Sequence, residues 1–156
     1  MKTKTTITEL TPDDLVELFS TALSGSPYLG ADYEESIEHN EKDCFEDILA
    51  NILLHGGCIK VNDYYSEGDI YGELPHELDE DNGCTTYYVT YDDIKKGLER
   101  AADGTFNAGD DRWTERKKGS AKVSFDSFMD KDRCDFDLVR ADILIQIILF
   151  DEIIYS

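Results

Sequence analysis

The segment from Asp135 to Tyr155 carries the longest apolar run of the chain, Ile143 to Phe150, interrupted only by Gln146. Carboxylates at Asp142, Asp151 and Glu152 bound this run, which is far shorter than the roughly 20 residues of a membrane span. The pattern predicts a helix of about 15 residues that is apolar on almost every side, with Asp135 as N-cap and Asp137 in the first turn. Such a helix must be covered around most of its circumference, so it is expected to be the core element.

Upstream, Leu15, Leu18, Phe19, Ala22 and Leu23 recur at helical spacing behind Thr11-Pro12-Asp13-Asp14, where Thr11 is the expected N-cap and Asp14 completes a capping box. Gly25 closes this helix. A second face, Phe45, Ile48, Leu49, Ile52 and Leu53, follows a capping segment at Asn40 to Asp43 and stops at His55-Gly56-Gly57, with Glu41, Glu46 and Asp47 facing out. Thr90 to Asp93 repeats the capping pattern before Ile94, Leu98 and Ala101, and Gly104 ends that helix. Alternation predicts strands near residues 2–8, 58–65, 85–90 and 152–155, with the middle two paired antiparallel. Residues 26–40 are expected as a loop or short extended piece anchored by Tyr28, Leu29 and Tyr33. Residues 104–120 are expected as a polar loop, and Val123, Phe125, Phe128 and Met129 as a short strand or a turn of helix. The expected fold is α+β: one domain over residues 1–156, with a small mixed or antiparallel sheet packed against helices and the C-terminal helix buried. A chain of 156 residues can bury close to 70% of its unfolded surface without disulfides or metal.

Charge adds what periodicity does not show. The net charge is −20, with 35 carboxylates against 15 basic residues. In residues 1–94, Lys2, Lys4, Lys42 and Lys60 stand against 22 carboxylates, while residues 95–156 hold 11 basic groups against 13. The excess lies on the first helix (Asp13, Asp14, Glu17), the loop after it (Glu34, Glu35, Glu38), the second helix (Glu46, Asp47) and the linker from Ser66 to Cys84 (Glu67, Asp69, Glu73). At about 19 residues that linker exceeds the usual loop, which marks it as functional or mobile. A field of this sign repels nucleic acid and anionic membranes and attracts basic surfaces. Carboxylates so arranged can stand in for phosphates in a basic channel that follows backbone charge; otherwise they serve solubility alone. Tyr65 and Tyr88 belong to a run of tyrosines around the two strands and offer a second, apolar route to a partner.

Catalytic signatures are not found in the sequence. With so many carboxylates, no acid-base pair stands out, and phosphate-cradling glycine loops and a G-x-S-x-G elbow are missing. His55-Gly-Gly-Cys58 has zinc-like spacing without a second ligand pair, and Asp130 to Asp135 resembles a calcium loop but lacks its Gly and its terminal Glu. No catalytic residue, metal ligand or cofactor is assigned. The N-terminus has basic residues but no apolar run behind them, so a cytoplasmic location is expected. Cys44, Cys58, Cys84 and Cys134 are expected as reduced, small core residues.

The ending Ala141 to Tyr155, the Thr11-Pro-Asp-Asp-Leu15 helix start and the Thr90-Tyr-Asp-Asp-Ile94 helix start together resemble a group of small acidic proteins encoded by bacteriophages and mobile elements. Asp151 stands where that tail would carry Gly. The group has no established activity, so the resemblance implies no residue roles; it implies an inhibitor of restriction or CRISPR systems as a class to consider. The leading expectation is a non-enzymatic inhibitor or adaptor that binds a basic surface of a nucleic-acid-binding protein, in its sharper form as a nucleic-acid mimic. Direct nucleic-acid and membrane binding are not expected. The alternatives are an acidic accessory protein that binds through its Tyr-rich sheet and, third, a small hydrolase.

Overall fold

The computed structural model describes residues 4–40, 42–130 and 132–155. Five helices and four strands follow in the order α1 (Pro12–Leu23), β1 (Leu29–Asp32), α2 (Phe45–Leu54), β2 (Cys58–Asp63), β3 (His76–Asp79), β4 (Cys84–Thr90), α3 (Tyr91–Asp103), α4 (Thr114–Met129) and α5 (Leu138–Phe150). The strands form one antiparallel sheet in the order β1-β2-β4-β3, and the architecture is α+β.

The two Thr-x-x-Asp starts work as their chemistry requires. Thr11 Oγ1 accepts from Asp14 N at 3.1 Å while Asp14 Oδ2 accepts from Thr11 N at 2.8 Å, and Thr90 and Asp93 repeat the exchange at the head of α3. Each pair satisfies helix-end N–H groups that have no partner within the helix. The other two starts differ from expectation. α2 is capped at Cys44 without a side-chain hydrogen bond, since Asn40 turns its carbonyl to Lys42 N; Glu41 lies outside the described residues. α5 is capped by Asp137, which accepts from Arg140 N, and not by Asp135.

α5 is buried from Leu144 to Phe150 and packs against α1, α3 and α4. Gly97 is what allows α3 so close: a Cβ there would lie 2.5 Å from Ile148 Cγ1 and 2.8 Å from Ile148 Cα. Phe150 reaches the sheet, with its ring 5.6 Å from that of Tyr87. Ile59, Val61, Tyr87 and Val89 supply the sheet's inner face to the same hydrophobic cluster.

Three expectations are corrected. Residues 4–8 form no strand; Thr5 N and Oγ1 donate to Asp103 and Ile7 N to Glu99, so this segment is strapped to the side chains of α3. Lys2 and Thr3 lie outside the described residues. Residues 152–155 are likewise not a strand, making only one isolated bridge, between Asn107 and Glu152. The second half of the expected polar loop and the following turn are a single 16-residue helix, α4, which buries Ala121, Ser124, Phe125 and Phe128. Ser124 is accommodated because its hydroxyl donates to Ser120 O at 2.7 Å. All four cysteines are free, but Cys84 alone is buried; Cys44, Cys58 and Cys134 are exposed. No helix among the described residues is long and apolar enough to cross a membrane.

Candidate functional site

The register of the sheet places Ile59, Val61 and Asp63 of β2 and Thr85, Tyr87 and Val89 of β4 on the inner face. The alternate residues, Lys60, Asn62, Thr86 and Tyr88, point the other way and keep partial exposure. This is the two-faced pattern of an antiparallel sheet with one side in water. Thr86 Oγ1 donates to Asn62 Oδ1 at 2.6 Å across it. Tyr64 lies over Gly30, where any Cβ would meet the phenol oxygen at 2.8 Å.

Acidic segments rise at both edges of this face. At the β1 edge, Asp32 leads into a lobe that closes on the start of α2: the Tyr33 ring packs 5.3 Å from His39 and 6.0 Å from Phe45. That stack gathers Glu34, Glu35, Glu38, Glu46 and Asp47 into one region. At the β3 edge, Glu77 and Asp79 pair opposite Thr86 and Cys84 and share the outward direction, with Glu80 and Asp81 in the turn beyond. The linker that carries this edge is ordered. Ser66 Oγ donates to Gly83 O, Thr85 Oγ1 donates to Ser66 Oγ, and Tyr71 N donates to Tyr87 Oη.

Local electrostatics tie the edges to the face. Lys60 Nζ sits 3.0 Å from Glu34 Oε1, and this contact raises the lysine pKa. On the other side Glu77 hydrogen-bonds the Tyr88 phenol and raises its pKa. The centre of the face therefore carries little net charge and the edges carry a great deal.

The sequence-predicted residues do not form one surface. Glu34, Glu35, Glu38, Glu46 and Asp47 come together at the β1 edge. Glu67 and Asp69 lie in the linker beside the start of β4, where Asp69 also accepts from Tyr71 Oη, whereas Glu73 lines the cleft at the end of α5 with Arg100 and Asp151, on the inner side of the sheet. Asp13 and Glu17 lie on α1, and Asp14 is committed to its capping box and to an ion pair with Arg133. Tyr88 is on the uncovered face, whereas Tyr65 packs at the end of the sheet against Tyr28 and Tyr155. Tyr87 is fully buried, and the Tyr91 hydroxyl accepts from Leu10 N at 2.7 Å.

Sequence reasoning missed a buried polar cluster. Gln146, 0% exposed, donates through Nε2 to Asp142 Oδ2 and Tyr155 O, and accepts through Oε1 from Ile154 N and Tyr155 N. Tyr28 Oη donates to Asp142, and Tyr155 Oη donates to Asp63 Oδ2 at 2.8 Å. Burial pushes both carboxyls above the usual carboxylate range and both phenols above theirs. The lone polar residue in the apolar run was the available signal. This cluster holds residues 154–155 against α5, and two clefts among the described residues, about 730 and 540 Å³ in volume, are lined by other residues. Among the described residues, no three His, Cys, Asp or Glu side chains converge as metal ligands.

Comparison with protein-family models, curated proteins and solved structures finds no match.

Proposed function

We propose that the uncovered sheet face and its two acidic edges bind the basic groove of a nucleic-acid-binding protein, with the carboxylates standing where phosphates would lie. The observation that carries this reading is the strand order. β1 and β3 are opposite edges, so three strand spacings of about 4.8 Å separate the carboxylates on the edge strands, Asp32 on β1 and Glu77 and Asp79 on β3, by about 14 Å. The major groove of a duplex is about 12 Å wide, so the spacing matches the scale of a double-stranded backbone. Between them lie the neutral groups Asn62, Thr86 and Tyr88, and Lys60 is neutralised by Glu34. The likeness of the tail to acidic phage proteins supports a restriction or CRISPR nuclease as the partner class. The reading requires no catalysis.

The test is affinity capture from nuclease-treated bacterial lysate, beside a control protein of equal charge, with elution by duplex DNA and then by salt. A nucleic-acid enzyme released by DNA is expected. Neutralising either edge, by E35Q/E38Q/D47N or by E77Q/E80Q/D81N, removes three contacts of about 0.5 kcal/mol each and lowers affinity roughly tenfold. Recovery of only what the control recovers, or full affinity in both variants, overturns the reading. A partner that resists DNA and salt but is lost in Tyr88→Ala moves the contact to the tyrosines of the sheet.

A further inference from the structure

At the head of α4 the basic residues Arg112, Arg116, Lys117 and Lys118 outnumber Asp110, Asp111 and Glu115 by one, against the acidic excess of the rest of the chain. Trp113 is 44% exposed, with the Arg112 guanidinium 4.7 Å and the Arg116 guanidinium 5.8 Å from its ring centroid. Arg112, Arg116 and Lys117 make no ion pair among the described residues. An exposed indole between two cations is an interface composition: the ring supplies apolar area, and the guanidiniums supply a positive rim.

The lobe at the β1 edge has the opposite arrangement. Phe45, 38% exposed, packs beside Tyr33 at its centre, and Glu35, Glu38 and Asp47 form an exposed negative rim. We propose that these two surfaces are complementary halves of a head-to-tail contact between copies of this chain, with the Trp113 patch of one copy seated on the Phe45 lobe of the next. The proposal requires no other protein; it engages the β1-edge carboxylates of the groove-binding reading, so the two contacts compete, and R112E/R116E separates them because it leaves that edge intact.

Charge complementarity favours a second copy over nucleic acid. A net charge of −20 opposes a polyanion along its whole length, and a phosphate backbone offers Trp113 no apolar counterpart, whereas the lobe offers Phe45. The same net charge opposes approach of two copies, but only over distances that salt screens. The Debye length is about 30 Å at 0.01 M and about 8 Å at 0.15 M, so the long-range repulsion is lost first while groups in contact still attract. At about 1 M, with a length of about 3 Å, the contact pairs are screened too. Association is therefore strongest at intermediate salt. Because the two halves are different surfaces, the contact is heterologous and leaves one half open at each end, so assembly continues into rings or filaments.

Sedimentation velocity of the full chain at about 0.01, 0.15 and 1 M salt tests this across a concentration series. Concentration-dependent association at the middle value, weaker at both extremes, is expected. R112E/R116E removes one half and E38K/D47K the other; each is expected to self-associate at least about tenfold more weakly. All four positions are solvent-exposed, and circular dichroism checks that both variants fold. Mixing the two variants brings an intact patch to an intact lobe and a reversed patch to a reversed lobe, so association that neither variant shows alone is expected to return, with the two alternating. Monomer at all three salts, wild-type association in both variants, or a mixture that stays monomeric overturns the proposal. Quenching of Trp113 by a single-stranded oligonucleotide, with the protein monomeric throughout, also overturns it and assigns the patch to nucleic acid.

Discussion

Arg100 reaches from α3 to Asp151, with Nε 2.8 Å from Oδ1, at the residue that ends α5 in the left-handed conformation. Asp151 has φ 56 and ψ 28, a region usually left to Gly because a Cβ is strained there. The tight turn that Gly would make is present all the same. Arg100 also donates through Nη2 to Ile147 O at 3.1 Å, the carbonyl that accepts from Asp151 N at 3.0 Å. A cation at the negative end of the helix thus secures both the last turn and the residue that leaves it.

Asp151→Gly exchanges relief of left-handed strain against loss of a partly exposed ion pair, each worth about 1 kcal/mol or less. The substitution is expected to leave stability within about 1 kcal/mol of the parent, whereas Arg100→Ala loses both contacts and costs about 1–2 kcal/mol. Urea denaturation of the two variants checks this. Equal destabilisation by both would place the value in the ion pair and not in the carbonyl contact.

Gln146→Leu keeps the size of the side chain and removes four hydrogen bonds. Two backbone N–H groups, Ile154 and Tyr155, lose their acceptor, and Asp142 loses a donor, so the expected cost is about 2–4 kcal/mol. Hydrogen exchange should locate the loss, with the amides of Ile154 and Tyr155 exchanging much faster and those of β2 and β4 unchanged in order. Uniform acceleration across the sheet would mean that Gln146 supports the whole core instead of the tail.

Asp63 and Asp142 give stability a defined pH dependence. Burial raises both above the ordinary 3.8, against the pull of the hydrogen bonds they accept. The folded state therefore binds these protons more tightly than the unfolded chain does. Their contribution is fully present below 3.8 and is lost as pH rises through the raised folded values. In urea titrations, D63N/D142N is expected to gain on the parent as pH rises from about 3.5 to 7, since the remaining carboxylates titrate alike in both. Parallel curves would exclude the effect. At the alkaline end, Tyr28 and Tyr155 should resist ionisation past their ordinary 10.0 until the chain unfolds, which ultraviolet absorbance reads directly.

What could be read in advance was local chemistry. Thr11 with Asp14 and Thr90 with Asp93 are complete capping instructions within four residues, and the apolar positions of α1, α2 and β2 have unambiguous periods. α4 was obscured because its inner face begins with Ala121 and Ser124 behind Gly119, a pattern that reads as polar until Phe125. β3 was obscured because His76-Glu-Leu-Asp79 has one apolar residue and becomes a strand only through its pairing with β4. Residues 4–8 alternate like a strand, but Asp103 and Glu99 take the N–H groups of Thr5 and Ile7. For the candidate site, the carboxylates can be counted along the chain, yet that β1 and β3 lie at opposite edges follows from a strand order that no local pattern encodes.

The burial of α5 bears on how the chain is made. α5 follows every other element in sequence, so a growing chain exposes the inner face of the sheet and the apolar sides of α1 and α3 until Phe150 has been synthesised. Tyr28 waits for Asp142, 114 positions later. During that interval the nascent chain already carries most of its negative charge, and repulsion between neighbouring unfinished chains on a polysome, felt within a Debye length of about 8 Å at physiological salt, opposes close contact of their exposed strands.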